Sequence, residues 1–184
     1  MMPELSLNIL DLAENSISAQ ANFVEIILDE NIKDDILSLV IRDNGKGMGD
    51  EFVKQITNPF ITTRKTRKVG LGIPFVKQIT DLCEGELVIT SEPGQGTELK
   101  ASMKHSHIDR PPIGDIVSVI HTLIVLNPHI DFLFIYKVDN NIYSIDTREW
   151  KAILDVVPLN DMNVQKALKV DLLSGLKKIG RSLI

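Results

Sequence analysis

The stretch that decides the fold of this chain reads Ser38-Leu39-Val40-Ile41-Arg42-Asp43-Asn44-Gly45-Lys46-Gly47-Met48. Its apolar first half predicts a buried strand that ends at Asp43. A carboxylate held there can accept a hydrogen bond from an exocyclic amine such as that of adenine. Gly45 and Gly47 carry no Cβ, so the backbone can lie against a flat ring or a phosphate. Asp-Asn-Gly is also an ordinary turn signal, and on local evidence alone a plain turn is the better interpretation.

The composition is typical of a soluble globular protein. The chain has 184 residues, 43% hydrophobic and 24% charged, with a formal net charge of −5. A negative balance argues against nucleic-acid binding, which normally needs a strongly basic face. The single cysteine, Cys83, excludes an internal disulfide and is expected to be a buried structural thiol. We expect a cytoplasmic protein, because we find no secretory signal and no apolar run long enough to cross a membrane.

The first predicted helix runs from Glu4 to about Ala19 and has two chemically different sides. One side is apolar, and the other carries Glu4, Asn8, Asp11, Asn15 and Ser18. Asp11 and Asn15 lie one turn apart. An amide oxygen suits Mg²⁺, and a carboxylate one turn earlier can orient or deprotonate a water near that metal. The alternative is a polar stripe that simply faces water.

A basic segment precedes a second pair of glycines. Residues 57–69 show no periodicity and contain Arg64, Lys65, Arg67 and Lys68. Gly70-Leu71-Gly72 then leads into a helix predicted from Pro74 to Glu84. Glycines at a helix start leave backbone N–H groups free to face an anion, over which the basic segment could fold. The alternative is an ordinary charged loop and helix start.

A hairpin is predicted after this helix, with strands from Glu86 to Ser91 and from Thr97 to Met103. Thr97 opens the second strand, where its hydroxyl could share a water with Asp43. Further along, the pattern predicts a helix from Asp115 to Leu126, a second hairpin, a short helix capped by Thr147 and a final helix. No catalytic motif is recognisable in this last region.

Four segments stand in one order along the chain, namely Asp11-Leu12-Ala13-Glu14-Asn15-Ser16, Asp43-Asn44-Gly45-Lys46-Gly47-Met48, Asn58-Pro59-Phe60-Ile61-Thr62-Thr63 and Gly70-Leu71-Gly72-Ile73. The set resembles the N, G1, F and G2 boxes of the GHKL superfamily, which comprises the gyrase, heat-shock chaperone, histidine kinase and MutL ATPases. The tail from Gly85 to Met103 looks most like the histidine kinase catalytic domain. The resemblance covers roughly residues 4–104.

The resemblance implies an α/β (α+β) fold, a two-layer Bergerat-type sandwich in which helices cover one face of a mixed β-sheet. We expect this ATP-binding domain over residues 1–104 and a linker over 105–114. Residues 115–184 form a small α-β-β-α extension of unknown role. The extension could add strands to the sheet, fold as a separate subdomain or make a dimer contact.

The resemblance also implies a site for ATP and Mg²⁺. The nucleotide-binding residues would be Asn15, Asp43, Gly45, Gly47, Met48, Phe60, Thr62, Thr63, Lys65, Gly70, Leu71, Gly72 and Thr97. Asn15 matches the Mg²⁺-binding asparagine, and Asp43 matches the aspartate that recognises the adenine amino group. Phe60 and the two threonines match the lid, and Gly70 and Gly72 match the glycines under the phosphates.

Three departures from the family pattern bear on the activity. Hydrolysing members carry a glutamate four residues before the metal asparagine, whereas this chain has Asp11. Asp11 is our candidate general base, but one methylene less displaces the carboxylate, so we expect slow hydrolysis. We expect the strand and the dimerisation helices that lie upstream in histidine kinases to be missing, because the sequence starts directly before the first helix. We find no phosphoacceptor box, and His121 is expected to be a packed core residue.

We therefore expect an Mg²⁺·ATP-binding signalling protein that transfers phosphate to a protein partner or hydrolyses ATP slowly as its lid closes. The alternative is a non-catalytic ATP sensor that regulates a partner. A homodimer is compatible with the sequence, whereas nucleic-acid and membrane partners are not expected.

Overall fold

A six-stranded mixed sheet forms one layer of the fold, and helices form the other. The structure, a computed structural model, describes residues 4–56 and 72–180. The elements follow the chain as α1 (Leu5–Ser18), β1 (Phe23–Asn31), β2 (Ile36–Asp43), α2 (Asp50–Val53), α3 (Gly72–Leu82), β3 (Glu86–Glu92), β4 (Gly96–Lys104), α4 (Ile116–Leu126), β5 (Asp131–Val138), β6 (Asn141–Asp146), α5 (Thr147–Leu154) and α6 (Met162–Lys178). The predicted two-layer α+β sandwich is confirmed.

The strand order joins distant parts of the chain. The strands lie in the order β3-β4-β2-β1-β5-β6. All neighbours are antiparallel except β1 and β5, which run parallel with Phe23 opposite Asp131. Strands β5 and β6, from the region after residue 114, therefore extend the same sheet. Three roles were left open for that region, and the structure shows the first of them: the region adds two strands to the sheet.

The strands have one buried and one open side because their side chains alternate. In β1 the buried positions are Val24, Ile26, Leu28 and Glu30, and in β2 they are Leu37, Leu39 and Ile41. The open side carries charged residues, including Arg42, which forms ion pairs with Glu25 and Glu98. This alternation sets the register of β2 and so determines where its last residue lies.

A single hydrophobic core joins the sheet to α1, α3, α4 and α6 in the described part of the chain. Leu5 and Ile9 of α1 pack in the same cluster as Phe134 of β5 and Ile120 of α4. The region after residue 114 thus shares its core with the region before residue 105. None of the described helices is long and apolar enough to cross a membrane.

Residues 105–114 hold the start of α1 in place. The Leu5 amide donates to the Pro112 carbonyl over 2.9 Å, and the Ser6 amide donates to the Ile113 carbonyl over 2.8 Å. The first N–H groups of a helix have no partner within the helix, so these carbonyls complete the first turn. We call residues 105–114 the strap, because they tie α1 to the helices that follow.

The histidines have structural contacts. In the strap, His105 Nε2 lies 2.9 Å from Oε2 of the buried Glu30, whose Oε1 accepts a 2.6 Å hydrogen bond from Tyr136. In α4, His121 Nε2 lies 3.0 Å from the Gln165 carbonyl oxygen of α6. His121 is half-buried and joins two helices, whereas the sequence predicted a fully packed core position.

Two helix starts differ from the prediction. Helix α3 begins at Gly72, two residues before Pro74, so Gly72 is itself helical. The side chain of Asp146 caps α5, although Thr147 was predicted to do so. Thr147 Oγ1 instead accepts a 2.8 Å hydrogen bond from the Phe132 amide. Because Leu133 lies opposite Asp146 in the β5–β6 hairpin, Thr147 lies beside Phe132, and its hydroxyl bonds to that strand instead of capping α5.

Because the core is shared, a destabilising substitution in β2 should lower the stability of the region around α5 as well. Leu39 is fully buried, and replacing it with alanine should lower the free energy of unfolding by about 2–5 kcal/mol. Trp150, the only tryptophan, lies in α5 and reports on the far end of the chain. We expect Leu39→Ala to shift the urea midpoint of Trp150 fluorescence and that of far-UV circular dichroism equally.

Val88→Ala is the matched control, because Val88 is an exposed apolar residue of β3. It should shift both midpoints little. If Leu39→Ala shifted the circular dichroism transition but left the Trp150 transition in place, the two regions would not share one cooperative core.

Candidate functional site

Asp43 ends β2 with its carboxylate held from two sides. Ser16 Oγ of α1 donates to Asp43 Oδ2 over 2.7 Å, and the Gly45 amide donates to Asp43 Oδ1 over 2.9 Å. Ser16 is buried and Asp43 is half-buried. Each carboxylate oxygen can accept more than one hydrogen bond, so Asp43 keeps capacity for a further donor. Its orientation is set before any ligand arrives.

The two glycines after Asp43 allow close backbone approaches. A Cβ on Gly45 would lie 2.7 Å from the Ala19 carbonyl oxygen. Gly47 has a φ of +63°, and a Cβ there would lie 1.9 Å from the Glu92 carbonyl oxygen. The Lys46 amide between them donates to the Ala19 carbonyl over 2.9 Å. The loop is therefore fastened to the end of α1 on one side and to β3 on the other.

Ser91 connects Met48 to the start of β4. Ser91 Oγ accepts a 2.9 Å hydrogen bond from the Met48 amide and donates to the Gly96 carbonyl over 2.8 Å. The same oxygen lies 2.9 Å from Thr97 Oγ1. Thr97 is opposite Asp43 in the β2–β4 register, as its predicted place beside this site requires.

Ser16 and Ser91 were not among the predicted site residues. Ser16 follows Asn15 directly within the quoted helix motif, and a small hydroxyl at a buried helix position signals a polar partner. Ser91 falls at the only buried position of β3. A serine at a buried strand position next to a turn carries the same signal.

The polar side of α1 faces protein. Asn8 is 0% exposed and Asp11 is 7% exposed, while Asn15 is half-buried. Asn8 Nδ2 donates to the Glu4 carbonyl over 3.2 Å, and Asn8 Oδ1 has no hydrogen-bond partner among the described residues. The alternative of a stripe that simply faces water is wrong for Asn8 and Asp11. Polar side chains buried on successive helical turns, as those of Asn8 and Asp11 are, are typical of a site rather than of a solvated face.

Asp11 lies against the first residue of α3. A Cβ built on Gly72 would be 2.2 Å from Asp11 Oδ2 and 3.1 Å from its Cγ. A side chain at position 72 would therefore require the Asp11 carboxylate to turn away from the start of α3. The contact brings the carboxylate of α1 to the positive end of α3.

Helix α1 joins the two ends of the candidate site. Ser16 holds Asp43, and Asp11 lies five residues earlier at the start of α3. With a rise of about 1.5 Å per residue, these two points are roughly 7–8 Å apart along the helix. A ligand that reaches both ends therefore combines a hydrogen-bond donor at Asp43 with a group that fits near Asp11 and Asn15.

Six of the predicted site residues lie outside the described part of the chain. They are Phe60, Thr62, Thr63, Lys65, Gly70 and Leu71. The described residues bring together Asp43, Gly45, Gly47, Met48 and Thr97 at one end, and Asp11 and Gly72 at the other. Cys83 lies apart from both; it is buried, and burial raises the pKa of its thiol, in keeping with a structural role.

A family model matches residues 3–107, more than half of the chain. The family is that of the histidine kinase-, DNA gyrase B- and HSP90-like ATPases. This chain belongs to that family, and residues 3–107 are the segment that matches it.

Similar proteins include sensor proteins of bacteria. A protein named as an NtrY-like sensor histidine kinase in Rickettsia typhi is 32% identical over 108 residues, which are 57% of this chain and 18% of that protein. A protein named as a sensor protein in Shewanella frigidimarina is 34% identical over 98 residues, 53% of this chain and 15% of that protein. The chain thus matches less than a fifth of the length of either relative.

A solved structure shares the fold beyond the family segment. The N-terminal domain of a DNA repair protein superposes with a TM-score of 0.58 at 15% sequence identity. It covers 94% of this chain, and the chain covers 56% of that structure. Because so much of the chain is covered, the common fold extends past residue 107 into the region of β5 and β6.

Gly96→Ala should disrupt the Asp43 end of the site. Gly96 has a φ of +101°, and a Cβ there would lie 1.9 Å from the Asp43 carbonyl oxygen. We expect a loss of about 3 kcal/mol or more in the free energy of unfolding, measured by urea denaturation.

Gly94→Ala is the matched control. Its φ is +79°, and nothing lies within 4 Å of an added Cβ. It should cost only about 1–2 kcal/mol, the penalty of the left-handed backbone. Equal losses in the two variants would contradict the close approach of Gly96 to Asp43.

Proposed function

We propose that this protein binds ATP together with Mg²⁺ and uses the nucleotide in signalling, either by phosphotransfer to a protein partner or by slow hydrolysis coupled to lid closure. The observation that carries the proposal is the Asp43 carboxylate, fixed by Ser16 and by the Gly45 amide on the same helix–strand frame as Asp11 and Asn15. Membership of the ATPase family supports the nucleotide. The sensor kinases among its relatives support the signalling role.

Asp43 would recognise the base. The exocyclic amine of adenine donates, and an ionised carboxylate accepts, so the pair forms a charge-assisted hydrogen bond. Gly45 and Gly47 would leave room for the base beside the backbone, with Met48 and Thr97 beside them. Since Ser16 already orients Asp43, little side-chain entropy is lost when the base binds.

Asn15 would hold the metal. An amide oxygen is a hard ligand, and Mg²⁺ in nucleotide sites takes few protein ligands while it keeps several waters. The half-buried Asn15, one turn after Asp11, fits this requirement. Bound Mg²⁺ would neutralise part of the negative charge of the phosphates. In the hydrolytic version of the proposal, Asp11 would orient a water or accept its proton.

The phosphates would lie at the start of α3. Gly72 opens this eleven-residue helix, whose first N–H groups favour an anion. Gly70 and Leu71 would add backbone donors. Phe60, Thr62, Thr63 and Lys65 would belong to the lid that closes over the phosphates.

A phosphotransfer role needs an acceptor on another molecule or domain. In the sensor proteins of Rickettsia typhi and Shewanella frigidimarina the matched segment is less than a fifth of the protein, which leaves room for an acceptor elsewhere in each of them. We therefore propose a protein partner that carries the phosphoacceptor, and a homodimer remains compatible with this role. Nucleic-acid and membrane partners are not part of the proposal, which includes a cytoplasmic location for the protein.

A non-catalytic ATP sensor is the second candidate. Asp11 has one methylene less than the glutamate of hydrolysing members, and its carboxylate lies against Gly72. This contact restricts where the Asp11 carboxylate can lie, and so restricts its use as a general base. In this version, nucleotide would order the lid and change a partner surface without being cleaved.

Variants at the two ends of the site should lose nucleotide affinity while the fold stays intact. Asp43→Asn removes the charged acceptor and should weaken ATP at least about tenfold, since a hydrogen bond to a charged group contributes roughly 1.5–3 kcal/mol. Asn15→Ala should abolish Mg²⁺-dependent binding. Calorimetric titration with Mg²⁺·ATP measures both, and thermal unfolding checks the fold.

Glu14→Gln is the control, because Glu14 is exposed on α1 and lies between Asp11 and Asn15 in the sequence. Its affinity should equal that of the natural chain. Unchanged affinity for Mg²⁺·ATP in both Asp43→Asn and Asn15→Ala would contradict the assignment of this site.

Incubation with γ-labelled ATP separates the activities. Free labelled phosphate indicates an ATPase, and labelled protein indicates a kinase. We expect slow phosphate release and little labelling of the chain itself, because no phosphoacceptor box is present. Binding without either product would leave the sensor as the function.

A further inference from the structure

The end of α5 presents three large apolar side chains to solvent. Ile153 is 84% exposed, Val156 is 87% exposed, and Val157 beside them is exposed as well. Single exposed apolar residues are ordinary, whereas a group of them marks an interaction surface. We call Ile153, Val156 and Val157 the α5 patch.

The α5 patch has an acidic rim. Glu149 is exposed one helical turn before Ile153, and Asp155 is exposed directly before Val156. The basic residues of α5 do not offset this charge, because Arg148 and Lys151 are paired over 2.6 Å with aspartates of β6 and β5. A partner that covers the patch therefore needs apolar side chains together with basic ones.

The outer face of α6 has that composition. Lys166, Val170, Leu173 and Lys177 are all exposed, and their helical spacing aligns them as one stripe. Leu172 on the inner side of the helix is fully buried, so this α6 stripe faces away from the core. It presents two apolar side chains between two lysines.

The α5 patch and the α6 stripe are neighbours in the fold. Residues 155–161 join the two helices and fold back in two turns. The Val157 amide donates to the Leu154 carbonyl, and the Asp161 amide donates to the Pro158 carbonyl, each over 3.0 Å. The end of α5 therefore lies close to the start of α6.

We infer that the α5 patch of one copy of this chain docks on the α6 stripe of a second copy, which gives a symmetric dimer. Each surface supplies what the other requires, since apolar side chains meet apolar ones and the acidic rim meets the lysines. A two-fold axis forms the same contact twice and so doubles the buried area. Both surfaces lie outside residues 3–107, and the inference does not depend on nucleotide binding.

Sedimentation velocity over a range of micromolar concentrations tests the dimer. We expect the natural chain to dimerise, and Ile153→Asp or Val170→Asp to raise the dimer dissociation constant at least about tenfold, because each places a charge in the apolar part of both contacts. Ile108→Asp is the matched control and should leave the constant unchanged. Ile108 is 94% exposed in the strap, which Asp35 fastens to the β1–β2 turn, at the other end of the sheet from the start of α5.

Two variants with altered charge test which surfaces meet. Glu149→Lys/Asp155→Asn makes the rim positive, and Lys166→Glu/Lys177→Glu makes the stripe negative. Either variant alone brings like charges together at both contacts and should stay monomeric where the natural chain is dimeric. An equimolar mixture should dimerise again, because the altered rim of one variant meets the altered stripe of the other and the second contact is the natural one.

Three results would overturn the inference: a natural chain that stays monomeric, a mixture of the two charge variants that does not dimerise, or equal weakening by Ile108→Asp and Ile153→Asp. Thermal unfolding checks each variant. The single variants Glu149→Lys and Lys166→Glu replace a double variant that lacks a cooperative transition. Affinity for Mg²⁺·ATP is measured separately, so its loss or presence decides the proposed function and leaves the dimer to be decided by sedimentation.

Discussion

The hydrogen bonds that complete the first turn of α1 constrain the rest of the candidate site. The strap supplies carbonyl groups to the Leu5 and Ser6 amides, and this fixes where α1 begins. Further along the helix, Asp11 meets Gly72, and near the end Ser16 holds Asp43. A shift at the start of α1 would therefore displace both ends of the site at once. The position of α1 is set by residues that lie beyond the family-matched segment, because the strap continues to residue 114.

The Asp43 end could be predicted well from the sequence. An apolar run followed by an acidic residue and two glycines is a local pattern, and its structure depends mainly on neighbouring residues. The β2–β4 register brings Thr97 opposite Asp43 although α2, α3 and β3 lie between the two strands in the chain. The place of Thr97 beside Asp43 therefore came from the family resemblance and not from a local pattern.

The other end of the site was harder to predict. Helical periodicity shows that Asn8, Asp11 and Asn15 share one side, but it does not show what packs against that side. The structure places the start of α3 there, with Gly72 against the carboxylate of Asp11. Similarly, the parallel pairing of β1 with β5 joins strands that no local pattern links. The bond from the Phe132 amide to Thr147 has a nearer origin, because it continues the β5–β6 hairpin in which Leu133 lies opposite Asp146. The cap of α5 was assigned to the wrong residue because the exact register of that hairpin was not predicted.

The parallel pair β1–β5 has a consequence for how the chain folds during synthesis. Phe23 pairs with Asp131, more than one hundred residues later, so one edge of β1 stays bare until β5 has emerged from the ribosome. An unpaired strand edge beside apolar residues such as Val24 and Ile26 is a template for pairing with other chains. Contacts of such long range also slow folding, because a large loop must close before they form. We therefore expect a period during synthesis in which the segment that matches the family is complete in sequence while this edge of β1 is still open to pairing with other chains.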